Sequence, residues 1–172
     1  MTGKILALII ALSALVAGGA LYYLQIYGFY YPVTPTPGQD VMLISRDSGQ
    51  PVPIAYDSYQ AIDADSSPIR YRACFTTPMA LPDLIQGYET RDGGEPRTAP
   101  GWFDCFDAEA VGDALAAGEL QMFIAQKNIA FGIDRVAAIG ADGRGWVWHE
   151  LNNCGEKAYD GTIVGEECPP RP

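Results

Sequence analysis

Four cysteines are the residues of this sequence with the clearest potential for covalent chemistry: Cys74, Cys105, Cys154 and Cys168. Their spacing contains no C-x-x-C, which disfavours a zinc site and excludes the C-x-x-C-H motif of covalent haem. An even number of cysteines is typical of disulfides outside the cytoplasm. Three pairings are possible, and we favour 74–105 with 154–168 because the second pair closes a short C-terminal loop. A metal site that includes His149 is the alternative.

His149 is the only histidine of the chain, and it lies in the segment Gly145–Leu151. Alternation along a strand would place Trp146 and Trp148 on the opposite face from it. The residues that follow do not complete the H-E-x-x-H motif of metalloproteases. A structural histidine, or one at the rim of a surface, is therefore favoured over a catalytic one.

Carboxylates occur in two segments that deserve comparison with known sites. The segment Asp63–Pro68 lacks the sixth-position glycine and the closing glutamate of a calcium loop, so an Asx-rich turn before a strand explains it better. Asp104, Asp107 and Glu109 would act as an acid–base pair only if two of them shared a cleft. The chain has no G-x-S-x-G, P-loop or G-x-G-x-x-G motif. We therefore predict no catalytic residue, no cofactor and no metal, and a protein that is not an enzyme.

Aromatic and acidic side chains are mixed in the segment just before a predicted helix. Trp102, Phe103, Asp104 and Asp107 are a candidate patch for binding a partner protein. Packing of the aromatic rings around a disulfide at Cys105 is the alternative role.

The elements that would position these residues begin with an apolar N-terminal segment. No side chain from Ile5 to Val33 is charged, and Ile5–Tyr27 is long enough to cross a hydrocarbon core of about 30 Å. We predict a transmembrane helix with an aromatic interfacial end in residues 1–31. A secretory signal cleaved near Gly18 is the competing interpretation.

Small residues recur on one face of this predicted helix. They are Gly3, Ala7, Ala11, Ala14 and Gly18, spaced by three or four positions. Such a face lets a second helix approach closely, so we predict that it packs against an integral membrane protein complex. The alternative is that alanine and glycine are simply common in membrane helices.

The distribution of charge indicates an orientation. Lys4 precedes the span, and the next base is Arg46, so the N-terminus is predicted to lie in the cytoplasm of a bacterial inner membrane and the domain in the periplasm. The rest of the chain carries 21 acids against 10 bases. This acidity argues against binding nucleic acid and would attract basic proteins such as a soluble cytochrome c.

The remainder of the chain is predicted to hold a Pro-rich spacer at 32–40 and one α+β domain at 41–172, mainly an antiparallel sheet with two short helices. In Ile69–Thr76, alternation indicates a half-buried strand with Arg70, Arg72 and Cys74 on the exposed face. The other predicted elements are hairpins at 41–56 and 133–151, a helix at 78–88, a helix capped by Asp107 that ends at Gly118, and a strand at 119–126.

Four segments resemble a family of short single-span proteins from alphaproteobacteria. They are Ile62–Phe75, Pro100–Ala110, Gly132–Val136 and Gly145–His149, and the resemblance covers almost the whole chain. The family is a domain of unknown function, so the resemblance implies a single span and an inner-membrane location without implying any chemistry. Some members carry a histidine-kinase label, which this sequence contradicts because it has no phosphoacceptor helix and no Gly-rich ATP lid.

From these features we predict a non-enzymatic accessory or assembly subunit of an inner-membrane complex, one that serves electron transfer. An extracytoplasmic ligand-binding or sensor module is the second hypothesis, and a concave aromatic pocket would favour it. The third hypothesis is an enzyme that uses His149 or a carboxylate pair.

Overall fold

The structure is a computed structural model that describes residues 2–170, without the side chain of Thr2. Residues 1, 171 and 172, which belong to the predicted N- and C-terminal segments, lie outside the described residues. An N-terminal helix leads directly into a domain built on an antiparallel sheet.

The N-terminal helix α1 runs over Thr2–Tyr23 and continues into a π-helical turn, Leu24–Gly28, in which Phe29 N–H donates to the Leu24 carbonyl at 3.0 Å. No residue of the apolar stretch Gly3–Gly28 is buried, and only Gln25 and Ile26 are partly covered. Its length and composition suffice to cross a membrane. The predicted N-terminal helix is confirmed, and it could serve as a membrane span or as a signal anchor.

The domain contains nine strands and two short helices among the described residues. In chain order these are β1 (Tyr31–Pro32), β2 (Met42–Ile44), β3 (Pro51–Pro53), β4 (Asp57–Asp63), β5 (Arg72–Thr76), α2 (Leu81–Gly87), β6 (Thr90–Arg91), α3 (Ala108–Ala116), β7 (Leu120–Ala130), β8 (Ile133–Gly140) and β9 (Arg144–Leu151). Seven strands form one sheet in the order β1-β4-β5-β9-β8-β7-β6, with every neighbouring pair antiparallel. Strands β2 and β3 form a separate hairpin. The predicted α+β class with a mainly antiparallel sheet is confirmed.

The segment predicted as a spacer begins inside the sheet. Pro32 pairs with Ile62 as part of β1, and Val33 N–H donates to the Ala61 carbonyl at 2.9 Å. The Pro-rich spacer predicted at 32–40 is therefore wrong for residues 32 and 33, which are bonded to β4. An edge strand accepts proline because one side of such a strand needs no donor, which explains why the proline-rich sequence is compatible with pairing.

Both faces of the sheet are covered. On one face the β2–β3 hairpin and α2 bury Leu43 and Leu84 against strand residues such as Phe123. On the other face the loop before α3, together with α3 itself, covers Trp148. Each face therefore supports a hydrophobic core, which is the main stabilising term for a domain of this size.

The prediction that Arg72 and Cys74 lie on an exposed face of β5 is wrong. Cys74 is 8% exposed and Arg72 only 3%, because the loop before α3 lies over that face.

Cys74 is bridged to Cys105 of the loop before α3, and Cys154 is bridged to Cys168 at the C-terminal end. The favoured disulfide pairing is confirmed, and no cysteine in the described chain is free to bind a metal.

Candidate functional site

The end of the apolar helix and the sheet domain are in direct contact. The Arg70 guanidinium donates to the Gln25 carbonyl at 3.3 Å and to the Gln25 side-chain oxygen. Trp102 Nε1 donates to the Ile26 carbonyl at 2.7 Å. Tyr30 lies between these residues, with its ring edge-on to Trp102 and 5.4 Å from the Arg70 Cζ. With β1 in the sheet, these contacts fix the orientation of the domain on the helix.

The residues of the candidate partner patch have different surroundings. Trp102 is 40% exposed and Asp104 is exposed, whereas Phe103 is buried in the core that faces α3. Asp107 caps α3, since its Oδ1 accepts hydrogen bonds from the N–H groups of Glu109 and Ala110, both at 3.1 Å. The aromatic packing beside the disulfide therefore occurs for Phe103, while Trp102 and Asp104 remain on the surface.

A groove beside the end of the helix brings three patch residues together. It has a volume of about 640 Å³. The groove is lined by Pro32, Val33, Pro35, Tyr59, Gln60, Ala61, Ile62, Trp102, Phe103, Asp104 and Cys105. Asp107 lies outside it and lines a second groove of about 560 Å³ with Arg144 and Trp146. The sequence indicated Trp102 and Asp104 as candidate residues. It did not indicate Tyr59, which lines the same groove because β4 pairs with β5 in the sheet.

His149 is held in a fixed neutral form. Its ring stacks on Tyr71 at 4.7 Å between centroids, Nδ1 contacts the Pro68 carbonyl at 2.6 Å, and Nε2 accepts from Arg135 Nε at 3.0 Å. These contacts require the proton on Nδ1. Burial, and then the charge of Arg135, lower the pKa of His149 to about 3. Trp146 and Trp148 face the other side, as predicted. These contacts agree with the structural interpretation of this histidine.

Tyrosines complete the polar cluster around His149. The hydroxyls of Tyr59 and Tyr71 are 2.5 Å apart, and the Arg135 Cζ lies 4.3 Å from the Tyr71 ring centroid. Burial raises the pKa of both phenols, so both are neutral in the physiological range. The cluster links β4, β8 and β9 and holds no uncommitted nucleophile among these four side chains.

Two buried carboxylates were missed by sequence reasoning. Glu150 accepts from Trp148 Nε1 at 2.8 Å and from the Glu95 backbone N–H at 2.6 Å, and it pairs with Arg91 at 3.1 Å. Asp134 accepts from Asn128 N–H and the Asn152 amide. For Glu150 the available signal was its position two residues after Trp148 on the same strand face. Both acids accept hydrogen bonds from protein donors, which offsets the cost of burying a polar group.

The acidic segments do not assemble a cation site. Asp63 Oδ1 accepts from Ala64 N–H at 2.8 Å, which agrees with the Asx-rich turn, and Asp65 accepts from the Tyr31 hydroxyl at 2.9 Å. Burial raises the pKa of Asp63. Within residues 2–170, no group of three or more His, Cys, Asp or Glu side chains is placed to hold a metal ion. The cysteine–histidine metal alternative is wrong, because both pairs of thiols form disulfides.

The small-residue face of α1 is open. Gly3, Ala7, Ala11, Ala14 and Gly18 are exposed. A Cβ added at Gly3 or Gly18 would meet nothing within 4 Å. The described chain thus leaves this face free for another helix.

Comparison with known families gives one assignment. A family of unknown function, DUF6446, matches residues 41–169, about three quarters of the chain. The chain belongs to this family. We found no curated protein and no solved structure that matches it.

Proposed function

We propose that this protein is an accessory or assembly subunit of a bacterial inner-membrane complex, with an acidic periplasmic domain that contacts partner proteins. The observation that carries the proposal is the docking of the domain, through Arg70 and Trp102, on the π-helical turn that continues α1. A domain joined in this way presents its surfaces at a fixed height and angle above the membrane. Such fixed presentation suits a subunit that holds other proteins in place.

The orientation follows from charge and redox chemistry. Lys4 lies before the span, and the domain carries two disulfides, which persist in oxidising compartments. The resemblance to alphaproteobacterial single-span proteins supports the inner membrane as the location. The N-terminus is then cytoplasmic and the domain periplasmic.

The small-residue face of α1 supplies the contact within the membrane. Without a hydrophobic driving force between helices in lipid, close backbone approach over glycine and alanine supplies packing energy. Leucine at Ala11 and Ala14 would hold a partner helix away. Isoleucine at Leu8 and Leu12 is the matched control, because those positions lie outside the small-residue face and keep their volume.

Affinity purification of the tagged full chain in mild detergent tests this proposal. The expected result is a defined set of co-purifying membrane proteins, recovered in lower yield with Ala11→Leu/Ala14→Leu and in normal yield with Leu8→Ile/Leu12→Ile. Equal recovery from both variants would remove the helix-packing argument. An unrelated single-span protein, purified in the same way, is the control. If both proteins recover the same set of partners, the accessory role is wrong.

The acidity of the domain supports a second, mobile partner. In an electron-transfer complex that partner would be a basic soluble cytochrome c, whose encounter rate an acidic surface can raise by about 10- to 1,000-fold at low salt. Cytochrome turnover by membranes with and without this protein should differ at low salt and converge as salt rises. If turnover has the same salt dependence with and without this protein, the acidity of the domain serves only its solubility and the cytochrome proposal is wrong.

A ligand-binding or sensor role is the alternative, and the groove lined by Tyr59 and Trp102 favours it. Gln60 is exposed in this groove, so Gln60→Trp would fill it, whereas Gln86→Trp changes an exposed position on α2. A sensor should retain a small molecule when purified from its own cells, and only Gln60→Trp should lose it. Equal retention by both variants, or none by the native chain, would exclude this groove as a ligand site.

A further inference from the structure

We propose that Arg70 and Arg97 form a binding site for the phosphate of an anionic lipid headgroup at the membrane-facing end of the domain, with Arg72 holding in place the two segments that carry them. The inference rests on the proposed membrane span. It does not depend on the proposed partner complex.

The position of Arg70 sets the height of the site. Its guanidinium bonds the backbone and side chain of Gln25 and lies over the ring of Tyr30. The 26 residues of Gly3–Gly28 are about 39 Å long at 1.5 Å per residue, which exceeds a hydrocarbon core of about 30 Å. Gln25, three residues from the end, then lies near the boundary of the core. Arg70 is placed at the level of the headgroups.

Arg72 connects the two arginine-bearing segments. It is 3% exposed, and its guanidinium donates to the backbone carbonyls of residues 69, 71, 97 and 98 at 2.6–3.4 Å. Burial is the largest cause that lowers the pKa of Arg72 to about 10, and the charges of Arg97 and Arg70 add to it. Backbone carbonyls of both segments therefore meet at the Arg72 guanidinium, which places Arg70 and Arg97 on adjacent segments of the domain.

Their positive charge is poorly neutralised by the protein. The ion pairs of the described residues do not include Arg70 or Arg72. Arg97 contacts Glu95 only at 3.8 Å, and the Glu95 side chain is 84% exposed. The Arg97 side chain is 37% exposed, although its Nε is buried without a hydrogen-bond partner. Arginine forks match phosphate oxygens in geometry, so a headgroup at the exposed part of this side chain would supply the missing negative charge.

Nearby acids offset this charge only in part. The charge of Asp63 acts on Arg72, but neither Asp63 nor Asp65 forms an ion pair with the three arginines among the described residues. The remaining acids of the domain act through solvent, where charges are screened over about 8 Å at physiological ionic strength. The excess of 21 acids over 10 bases outside the span therefore repels anions from the domain as a whole without excluding them from this end.

Native mass spectrometry of the full chain in detergent tests the proposal, with phosphatidylglycerol and phosphatidylcholine as competing lipids. We expect preferential retention of phosphatidylglycerol, lowered about fivefold by either Arg70→Gln or Arg97→Gln, since an arginine near an anionic surface contributes on that scale. Glu95→Gln should increase retention by removing the neighbouring negative charge. Arg144→Gln is the matched control, because Arg144 pairs with Thr76 at the opposite end of β5 from Arg72.

Several results would overturn the assignment. They are equal retention of the two lipids, an equal loss in Arg144→Gln, and no change in Arg97→Gln when its melting temperature matches that of the native chain. Arg97→Gln is the decisive variant, because the hydrogen bonds that dock the domain on the helical segment come from Arg70 and Trp102 rather than from Arg97. Inorganic phosphate or glycerol phosphate that displaces phosphatidylglycerol at equal concentration would assign the site to a soluble phosphate instead. Lipid retention is measured on the isolated chain, so a failed search for partner proteins would leave this result unchanged.

Discussion

His149 makes the stability of the folded domain depend on pH at the scale of one residue. The folded protein keeps this imidazole neutral, with a pKa lowered to about 3, whereas the unfolded chain takes up a proton below about pH 6.5. The unfolded state therefore binds more protons between these values, and the free energy of unfolding falls by about 1.4 kcal/mol per pH unit as the pH drops.

Replacing His149 by glutamine should remove this contribution. The His149→Gln variant is expected to be less stable at pH 7, because the bonds to Pro68 and Arg135 are disturbed, and to show a flatter decline between pH 6 and pH 4. Urea unfolding of the full chain in detergent at a series of pH values measures both effects. The same slope in both proteins would show that His149 does not carry the pH dependence.

A second single-residue effect concerns Gly145 in β9. Gly145 is the register partner of Phe75, and a Cβ at this position would lie 2.2 Å from the ring. Because Phe75 is 3% exposed, the ring has no free space to move into, and Gly145→Ala should destabilise the domain by about 1–3 kcal/mol. Gly87→Ala, whose Cβ would meet nothing within 4 Å, should leave the melting temperature nearly unchanged. Comparable losses in the two variants would contradict this packing.

At the scale of elements, the two disulfides should differ in importance. The Cys74–Cys105 bridge closes the longer loop, with a sequence separation of 31 against 14, and clamps the segment before α3 onto the sheet. Replacing both of its cysteines by serine should cost about 3–4 kcal/mol. Removing Cys154–Cys168 should expose residues 153–168 to protease while the sheet keeps its melting temperature. A larger loss from the C-terminal pair would reverse this ranking.

The elements that sequence reasoning found are those with strong local signals. The α3 helix has its Asp107 cap, and the β8–β9 hairpin has Gly143 at a φ of +80°. Strand β4 was missed because Ser58 adopts a φ of +52° and the register shifts between Asp57 and Gln60, which breaks the alternation that a strand is expected to show. Local sequence carries no information on such a bulge, whose geometry is imposed by the pairing with β5.

The candidate site was less predictable than the elements. Trp102 and Asp104 were chosen as candidates by their residue types, but the bond of Trp102 to Ile26, in the turn that follows α1, spans 76 residues. The burial of Arg72 could likewise not be predicted from the sequence, because the loop that covers it is distant along the chain. Long-range packing of this kind leaves no periodic trace in either segment.

At the scale of the whole molecule, the topology is the first property to measure. The proposed orientation places the end of the chain in the periplasm, so alkaline phosphatase fused after residue 172 should be active. A reporter that folds only in the cytoplasm should be inactive at the same point. The reverse pattern would invert the topology, and it would place both disulfides in a reducing compartment.

The proposed accessory role depends on assembly with other membrane proteins in the native membrane. The most direct measurement is the mass of the full chain, extracted from its own membrane in mild detergent and resolved under native conditions, with the composition of each species determined. We predict a discrete assembly, far heavier than the chain's 18.5 kDa, that contains at least one other integral membrane protein. A species that contains only this chain, at every expression level down to the native one, would contradict the account.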